Sequence, residues 1–119
     1  NIFNKGFLEE VDKLSDIYKE TLDFLEKIVD KISEIDDSSC KLDYSDKDGY
    51  FITITKKRFD NAYKKDKTYM NKFEKRIANS NSNYKLTSDE IIEASSKLER
   101  IQNDIQAIMT KEYLKFFLL

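Results

Sequence analysis

Apolar residues recur at steps of three and four along both ends of this 119-residue chain, and this spacing restricts what it can fold into. In the first stretch these residues are Val11, Leu14, Tyr18, Leu22, Leu25, Ile28, Ile32 and Ile35. In the last stretch they are Ile91, Ala94, Leu98, Ile101, Ile105 and Ile108. The spacing predicts two amphipathic helices, from about Ile2 to Ile35 and from Ser88 to about Phe117.

Each predicted helix needs a partner, because a single amphipathic helix cannot bury its apolar stripe alone. The first would be roughly 50 Å long at about 1.5 Å per residue, and its heptad spacing is typical of a coiled-coil seam. Thr87 and Glu90 have the spacing of a capping box at the start of the second helix. We expect the two helices to pair antiparallel around the insert between them. Pairing with a helix elsewhere in a longer parent chain is the alternative, and both can occur.

The insert between the helices contains the clearest strand in the chain. Residues 50–55 alternate β-branched and aromatic side chains after the pair Asp48-Gly49. The alternation predicts one face with Tyr50, Ile52 and Ile54 and an opposite face with Phe51, Thr53 and Thr55. A preceding strand is predicted from the alternation of Cys40, Leu42 and Tyr44. Together they predict a β-hairpin with a five-residue loop at 45–49.

A short helix and two further strands are predicted in the rest of the insert. Residues 58–69 favour a helix whose inward side chains are Phe59, Ala62 and Tyr63. Strands are predicted near 73–77 and 84–86, on either side of the polar run 79–83. Three or four strands with a helix form a more credible unit than an isolated hairpin, which is marginally stable in water.

These elements predict a mostly α protein with a small β module. Two long antiparallel helices are expected to carry an inserted antiparallel β-sheet and helix at their tip. The expected boundaries are 1–38 for the first helix, 39–86 for the insert and 87–119 for the second helix.

The net charge of −2 conceals a strongly basic segment. Residues 56–76 contain nine basic and three acidic side chains, a net of +6, whereas 1–39 contain five and eleven, a net of −6. Local positive potential attracts polyanions, so the basic segment is a candidate for binding nucleic-acid phosphates. The residues expected to contact a DNA backbone are Lys56, Lys57, Arg58, Lys75 and Arg76, with Asn79 and Asn81 behind them. The alternative is an ordinary solvated surface.

Other candidate sites fail on residue type. Asp46 and Asp48 resemble part of a calcium loop, but the positions that need carboxylates are Tyr44 and Thr55. The chain has no His, one Cys and two Gly, which leaves no motif for a metal, a phosphate loop or acid–base catalysis. We therefore expect no catalytic site, no cofactor and no small-molecule substrate. Aromatic residues of the predicted strand, Tyr50 and Phe51, could stack on bases, but such residues more often fill a core.

The chain carries few indications of location. No apolar run approaches the roughly 18 residues that a membrane span needs, so no membrane partner is expected. The lone Cys40 fits a reducing compartment, and we expect an intracellular protein of nuclear, cytoplasmic or organellar location. The abrupt start and the apolar end at 116–119 are typical of a piece of a longer polypeptide.

Three motifs, taken in order, resemble the MutS family of DNA mismatch-repair proteins. Asn4–Leu14 is similar to the family's segment in which a Gly-aromatic pair precedes an acidic, Leu-containing helix start. Gly49–Lys56 is similar to its Gly-Tyr-Tyr strand that ends in Val-Thr. Lys85–Ser88, followed by an acidic helix, resembles the point where the chain returns from the clamp to the lever, particularly in eukaryotic-type homologues.

The resemblance implies that the long helices are levers and that the insert is a clamp. Such a clamp closes over double-stranded DNA and contacts its backbone without reading sequence. The resemblance also implies a dimeric parent protein whose ATPase, with ATP and Mg, and whose mismatch reader lie outside this stretch. The family's mismatch reader carries Phe-x-Glu, but both occurrences here, at 7–9 and 24–26, lie on predicted heptad helices and receive no role. The competing hypothesis is a coiled-coil protein–protein interaction module without DNA binding.

Overall fold

The computed structural model describes residues 5–118, with side chains from Gly6 to Phe117. The helices are α1 (Lys5–Glu34), α2 (Lys56–Lys65), α3 (Lys67–Met70) and α4 (Asp89–Leu118). The strands are β1 (Lys41–Ser45), β2 (Gly49–Thr55), β3 (Glu74–Ile77) and β4 (Asn83–Thr87). The prediction of a mostly α protein with a small antiparallel sheet is confirmed. The helix start predicted at Ile2 lies outside the described residues.

The two long helices, each of 30 residues, contact each other and run in opposite directions. Ser15 of α1 lines a groove with Gln106 in the second half of α4, whereas Phe24 lines a groove with Glu90 at the start of α4. The apolar stripes of the helices contribute to one core through Leu25, Val29, Ile32, Ile91, Ala94 and Leu98. Each helix therefore buries its apolar stripe in a core that it shares with the other helix.

The start of α4 differs from the predicted capping box by one residue. The backbone N–H of Ile91 donates a hydrogen bond to Ser88 Oγ at 3.2 Å, so Ser88 caps the helix. Thr87 instead ends β4, where it lies opposite Glu74 of β3. The capping role expected for Thr87 is therefore wrong, because the strand pairing takes that residue first.

The four strands form one antiparallel sheet in the order β1-β2-β4-β3. The predicted hairpin of β1 and β2 is confirmed, but its loop is shorter than five residues, because Ser45 pairs with Gly49. β4 pairs with β2, with Ile52 opposite Leu86. The centre of the sheet is therefore made of β2 and β4, and its edges are β1 and β3.

One face of this sheet belongs to the core that the helices build. Ile52, Ile54 and Leu86 are buried there, as the alternation predicts. Phe51 has the opposite orientation, yet only 4% of its surface is exposed. The ammonium of Lys85 lies 4.7 Å from the centroid of the Phe51 ring and helps to cover it. Phe51 is therefore a packing residue and is not available to stack on bases.

The single short helix predicted at 58–69 is two helices. Asp66 interrupts it with non-helical backbone angles, and its carboxylate accepts a hydrogen bond from the N–H of Tyr69 at 3.1 Å to start α3. At the other end, Thr55 Oγ1 accepts the N–H of Arg58 at 3.2 Å and caps α2. The inward orientation is confirmed for Phe59 and Ala62, which are buried, and for Tyr63, which is partly buried against the same core.

Candidate nucleic-acid interface

The start of α2 and the β3–β4 turn meet at the end of the sheet where β2 finishes. The backbone N–H of Lys56 donates to the carbonyl of Ser82 at 3.0 Å. The ammonium of Lys56 donates to Asn81 Oδ1 at 3.5 Å, although these residues are 25 positions apart in the chain. The fold thus brings together two of the residues that the sequence places in the candidate interface.

The β3–β4 turn holds its asparagines at the surface. Asn81 has a left-handed φ of +61°, which Asn tolerates better than most residues do. Its N–H donates to the carbonyl of Ala78 at 2.9 Å, and the N–H of Ala78 donates to the carbonyl of Asn83 at 3.0 Å. Asn79 is exposed on the same turn. Its amide is accessible to solvent and to any anion that approaches.

The ammonium groups of Lys75 and Lys56 both lie over the ring of Tyr84. The ammonium of Lys75 lies 5.0 Å from the ring centroid of Tyr84 and 4.8 Å from that of Phe59. The ammonium of Lys56 lies 5.7 Å from the Tyr84 ring. Cation–π attraction at these distances limits the freedom of both lysine side chains. Lys57 and Arg58 are exposed beside them on the first turn of α2.

We call this surface the tip patch and define it as Lys56, Lys57, Arg58, Lys75, Asn79 and Asn81. Among the residues that the structure describes, no carboxylate lies within 4.0 Å of Lys56, Lys57 or Arg58. The first turn of α2 contains no acidic residue, so its N-terminal partial positive charge adds to that of the side chains. The tip patch therefore combines unpaired cations with the positive end of a helix, an arrangement that suits phosphate.

Two other cations of the basic segment, Lys65 and Lys72, are already paired. Lys65 lies 3.6 Å from Asp36, and Lys72 lies 3.3 Å from Glu90. Both pairs are exposed and contribute little to stability. Their charges are nevertheless locally compensated, so they add less to the surface potential than the tip patch does.

Arg76 is separated from its neighbour Lys75. Successive residues of a strand point to opposite faces, and Arg76 lies on the outer face, away from the helices. One of its guanidinium nitrogens lies 3.7 Å from a carboxylate oxygen of Asp48. The ammonium of Lys85 lies 3.3 Å from the other oxygen. The structure thus places Arg76 with Asp48 and Lys85, outside the tip patch.

Asp48 compensates these two cations. The hydrogen bond from Lys85 lowers the pKa of the Asp48 carboxyl, and the charges of Lys85, Arg76 and Lys47 act in the same direction, while burial opposes them. Sequence reasoning missed Lys85 because it lies outside the basic segment. Only the pairing of β3 with β4 in the folded sheet, which puts Lys85 opposite Arg76, reveals its role.

The described part of the chain shows neither a metal site nor an activated cysteine beside this basic surface. No group of three or more His, Cys, Asp or Glu side chains within it could hold a metal ion. Burial raises the pKa of the Cys40 thiol, with a hydrogen bond from Ser33 opposing, so this cysteine is a weak nucleophile. Within residues 5–118, no helix combines the length and the apolar character needed to cross a bilayer.

Comparison with known proteins agrees with this picture. Residues 6–104 match the sequence model of MutS family domain IV. No curated protein is significantly similar to the chain. The family match spans α1, the whole sheet with its two short helices, and the first half of α4. Since the match covers most of the sequence, this chain belongs to the MutS family, as a region that corresponds to its domain IV.

Proposed function

We propose that this chain is the clamp and lever region of a MutS-like mismatch-repair ATPase, and that the tip patch holds the backbone of duplex DNA without reading its sequence. The observation that carries the proposal is the set of unpaired cations on the first turn of α2. In this proposal α1 and α4 are the levers, with boundaries at 1–38 and 87–119, and the clamp spans 39–86. The parent protein supplies the dimer, the ATP and Mg site and an intracellular location.

The mechanism is electrostatic. Each lysine or arginine that neutralises a phosphate releases condensed counterions, which favours binding at low salt. The asparagine amides of the turn donate neutral hydrogen bonds to phosphate oxygens, which fix position and carry no sequence information. Four cations of the tip patch acting on four phosphates correspond to a slope of about −3.6 in log K against log salt, at about −0.9 per phosphate.

The competing interaction-module hypothesis loses its main surface in this fold. Its contact residues would be Leu98, Ile101 and Ile105 of the heptad stripe. Leu98 is 1% exposed and Ile101 is 6% exposed, because this part of the stripe is buried within the chain, whereas Ile105 is half-buried. A partner that required these side chains would have to separate α4 from α1.

The test is fluorescence anisotropy with a labelled duplex of about 30 base pairs, at several salt concentrations. The test variant is K56Q/K57Q/R58Q. The control is K97Q/R100Q/K111Q, which removes the same charge from exposed positions on α4. We expect weak, sequence-independent binding, with a dissociation constant of about 10⁻⁴ to 10⁻⁶ M for the natural chain.

The expected result separates a local contact from a general charge effect. The test variant should lose at least about tenfold in affinity at low salt, and its salt slope should become shallower by about 2.7. The control should change affinity by less than about threefold. Equal losses in the two variants, or no binding by a folded natural chain at low salt, would contradict the proposal. Circular dichroism checks that both variants are folded.

A further inference from the structure

A second surface, at the opposite end of β2 from the tip patch, has the chemistry of a binding site. The β1–β2 loop lies against α4, where the N–H of Tyr50 donates to Ser95 Oγ at 2.9 Å. Beside this contact, the hairpin and both long helices line an open cleft of about 480 Å³. That volume is within the usual range of ligand sites, about 300 to 1,000 Å³. We call it the tyrosine cleft, because its walls include Tyr18, Tyr44 and Tyr50.

The aromatic walls of the tyrosine cleft are fixed in place. The rings of Tyr44 and Tyr50 are 5.0 Å apart between centroids and tilted by 57°. The hydroxyls of Tyr50 and Tyr18 are hydrogen-bonded to each other, which with burial raises the pKa of Tyr50 to about 12. Tyr44 is 53% exposed, so much of its ring is accessible to a ligand. Tyrosine rings present a negative π face to cations.

The charged groups of the cleft are mostly acidic. They are Asp46, Asp48 and Glu99, together with a single cation, Lys47. Asp48 is engaged by Lys85 and Arg76. Among the described residues no cation lies within 4.0 Å of Asp46 or Glu99. The hairpin wall thus offers an unpaired carboxylate at Asp46 and the exposed ring of Tyr44, and the α4 wall offers an unpaired carboxylate at Glu99. This combination attracts a cation and repels DNA.

The cleft continues along the helices. A second groove of about 340 Å³ shares Tyr18 and Gln102 with it and is lined further by Ser15, Lys19, Ile105 and Gln106. The amides of Gln102 and Gln106 can pair with the backbone of an extended chain. A small free cation would fill only the first part, whereas a peptide segment would occupy the full length.

We propose that the tyrosine cleft binds an arginine side chain presented by an extended segment of a partner protein, and that the rest of this segment lies in the groove between α1 and α4. A guanidinium suits the cleft better than an ammonium, because it stacks flat on Tyr44 while its planar donors pair with Glu99 or Asp46. This inference is independent of DNA binding, because it uses the other end of the hairpin.

The test is a titration of the isotope-labelled 119-residue chain, followed by amide chemical shifts. The probes are a blocked alanine heptapeptide with a central arginine, the same peptide with neutral citrulline in its place, and blocked arginine alone. We expect the arginine peptide to shift the amides of Gly49, Tyr50, Ser95 and Glu99. Citrulline should weaken binding at least about tenfold, and blocked arginine should bind several times more weakly than the peptide.

Variants localise the site. Glu99→Gln and Tyr44→Leu should each weaken binding of the arginine peptide at least about fivefold. The control is Asp104→Asn, which changes an exposed carboxylate of α4 outside both grooves and should leave binding unchanged. Equal affinity for the arginine and citrulline peptides, shifts confined to other amides, or no shift at about 10 mM peptide would overturn the proposal. Equal affinity for blocked arginine and the peptide would show that the cleft binds a small cation, and would overturn the proposal that a peptide segment lies in the groove.

Discussion

Gly49 and Ser95 approach so closely that a Cβ atom on Gly49 would lie 2.5 Å from Ser95 Oγ. Gly49 also has a φ of +70°, a left-handed conformation that costs other residues free energy. Ser95 accepts the N–H of Tyr50 at this point, so the contact attaches the hairpin to α4. A side chain at position 49 would therefore disturb both the turn and the attachment.

We expect Gly49→Ala to lower the free energy of unfolding by about 1–3 kcal/mol. Urea denaturation followed by circular dichroism measures this loss. In a Ser95→Ala background the steric part disappears and the left-handed strain remains, so the Gly49→Ala loss should be smaller there. An equal loss in both backgrounds would show that the close approach costs nothing.

Removing Asp48 should strengthen DNA binding. Asp48→Asn releases Arg76 and Lys85, which can then reach phosphates beside the tip patch. Anisotropy at low salt should show an affinity about two- to tenfold higher and a steeper salt slope. Asp46→Asn changes the charge of the same loop equally but breaks no ion pair, so it is the matched control. Equal gains in the two variants would indicate a general charge effect.

The same carboxylate predicts a pH dependence of stability. Because the pKa of Asp48 is lowered in the folded chain, its contribution is present above the ordinary value of about 3.8 and is lost as the pH falls through the folded pKa. The urea midpoint of the natural chain should exceed that of Asp48→Asn at pH 7, and the two should converge below about pH 4. A difference that stays constant down to about pH 3 would show that the ion pairs do not stabilise the fold.

The Tyr18–Tyr50 hydrogen bond predicts a dependence at high pH. The pKa of Tyr50 is raised to about 12, so its stabilising contribution is complete below the ordinary pKa of about 10 and is lost as the pH rises through 12. Besides a late ionisation of Tyr69, whose pKa burial also raises, absorbance near 295 nm should show one of Tyr50 at about 12 among the seven tyrosines of the chain. Tyr18→Phe should move that ionisation to lower pH, and an unchanged titration would argue against the bond.

The β3–β4 turn makes a prediction about Asn81. Asn81→Gly keeps the left-handed φ accessible and should change the free energy of unfolding by less than about 0.5 kcal/mol, whereas Asn81→Val should cost about 1–2 kcal/mol. Both variants lose the amide that meets Lys56, so any common loss of DNA affinity reports that contact. Thermal unfolding separates the two effects, and equal stability of the variants would contradict the backbone argument.

The elements were predictable where local pattern decides them. The steps of three and four located α1 and α4, and alternation located β1 and β2, because burial of one helix stripe or one strand face selects those periods. The break at Asp66 was missed, since a capping carboxylate competes with helix continuation in a way that periodicity does not reveal. The strand near 84–86 was predicted to end before Thr87, which was assigned to the helix cap. That prediction was wrong, because Thr87 pairs with Glu74 of another strand and local sequence does not reveal this pairing.

The candidate site was less predictable than the fold. Lys75 and Arg76 are adjacent in sequence, yet the pleat of β3 sends them to opposite faces, and only the sheet order shows which face carries Lys85. The meeting of Lys56 with Asn81 depends on β2 pairing with β4, for which no turn motif gives a sign. Charge composition thus located the basic surface, but the paired and unpaired cations could be told apart only in three dimensions.

The order of the elements along the chain determines when the core can form during synthesis. α1 ends at Glu34, and its helical partner begins only at Asp89, after the whole sheet has been made. At about 5–20 residues per second, the ribosome needs roughly 3–11 seconds to cover that interval. During this time the apolar stripe of α1 has no α4 to cover it, so within the described residues only the insert can cover this stripe before α4 is made.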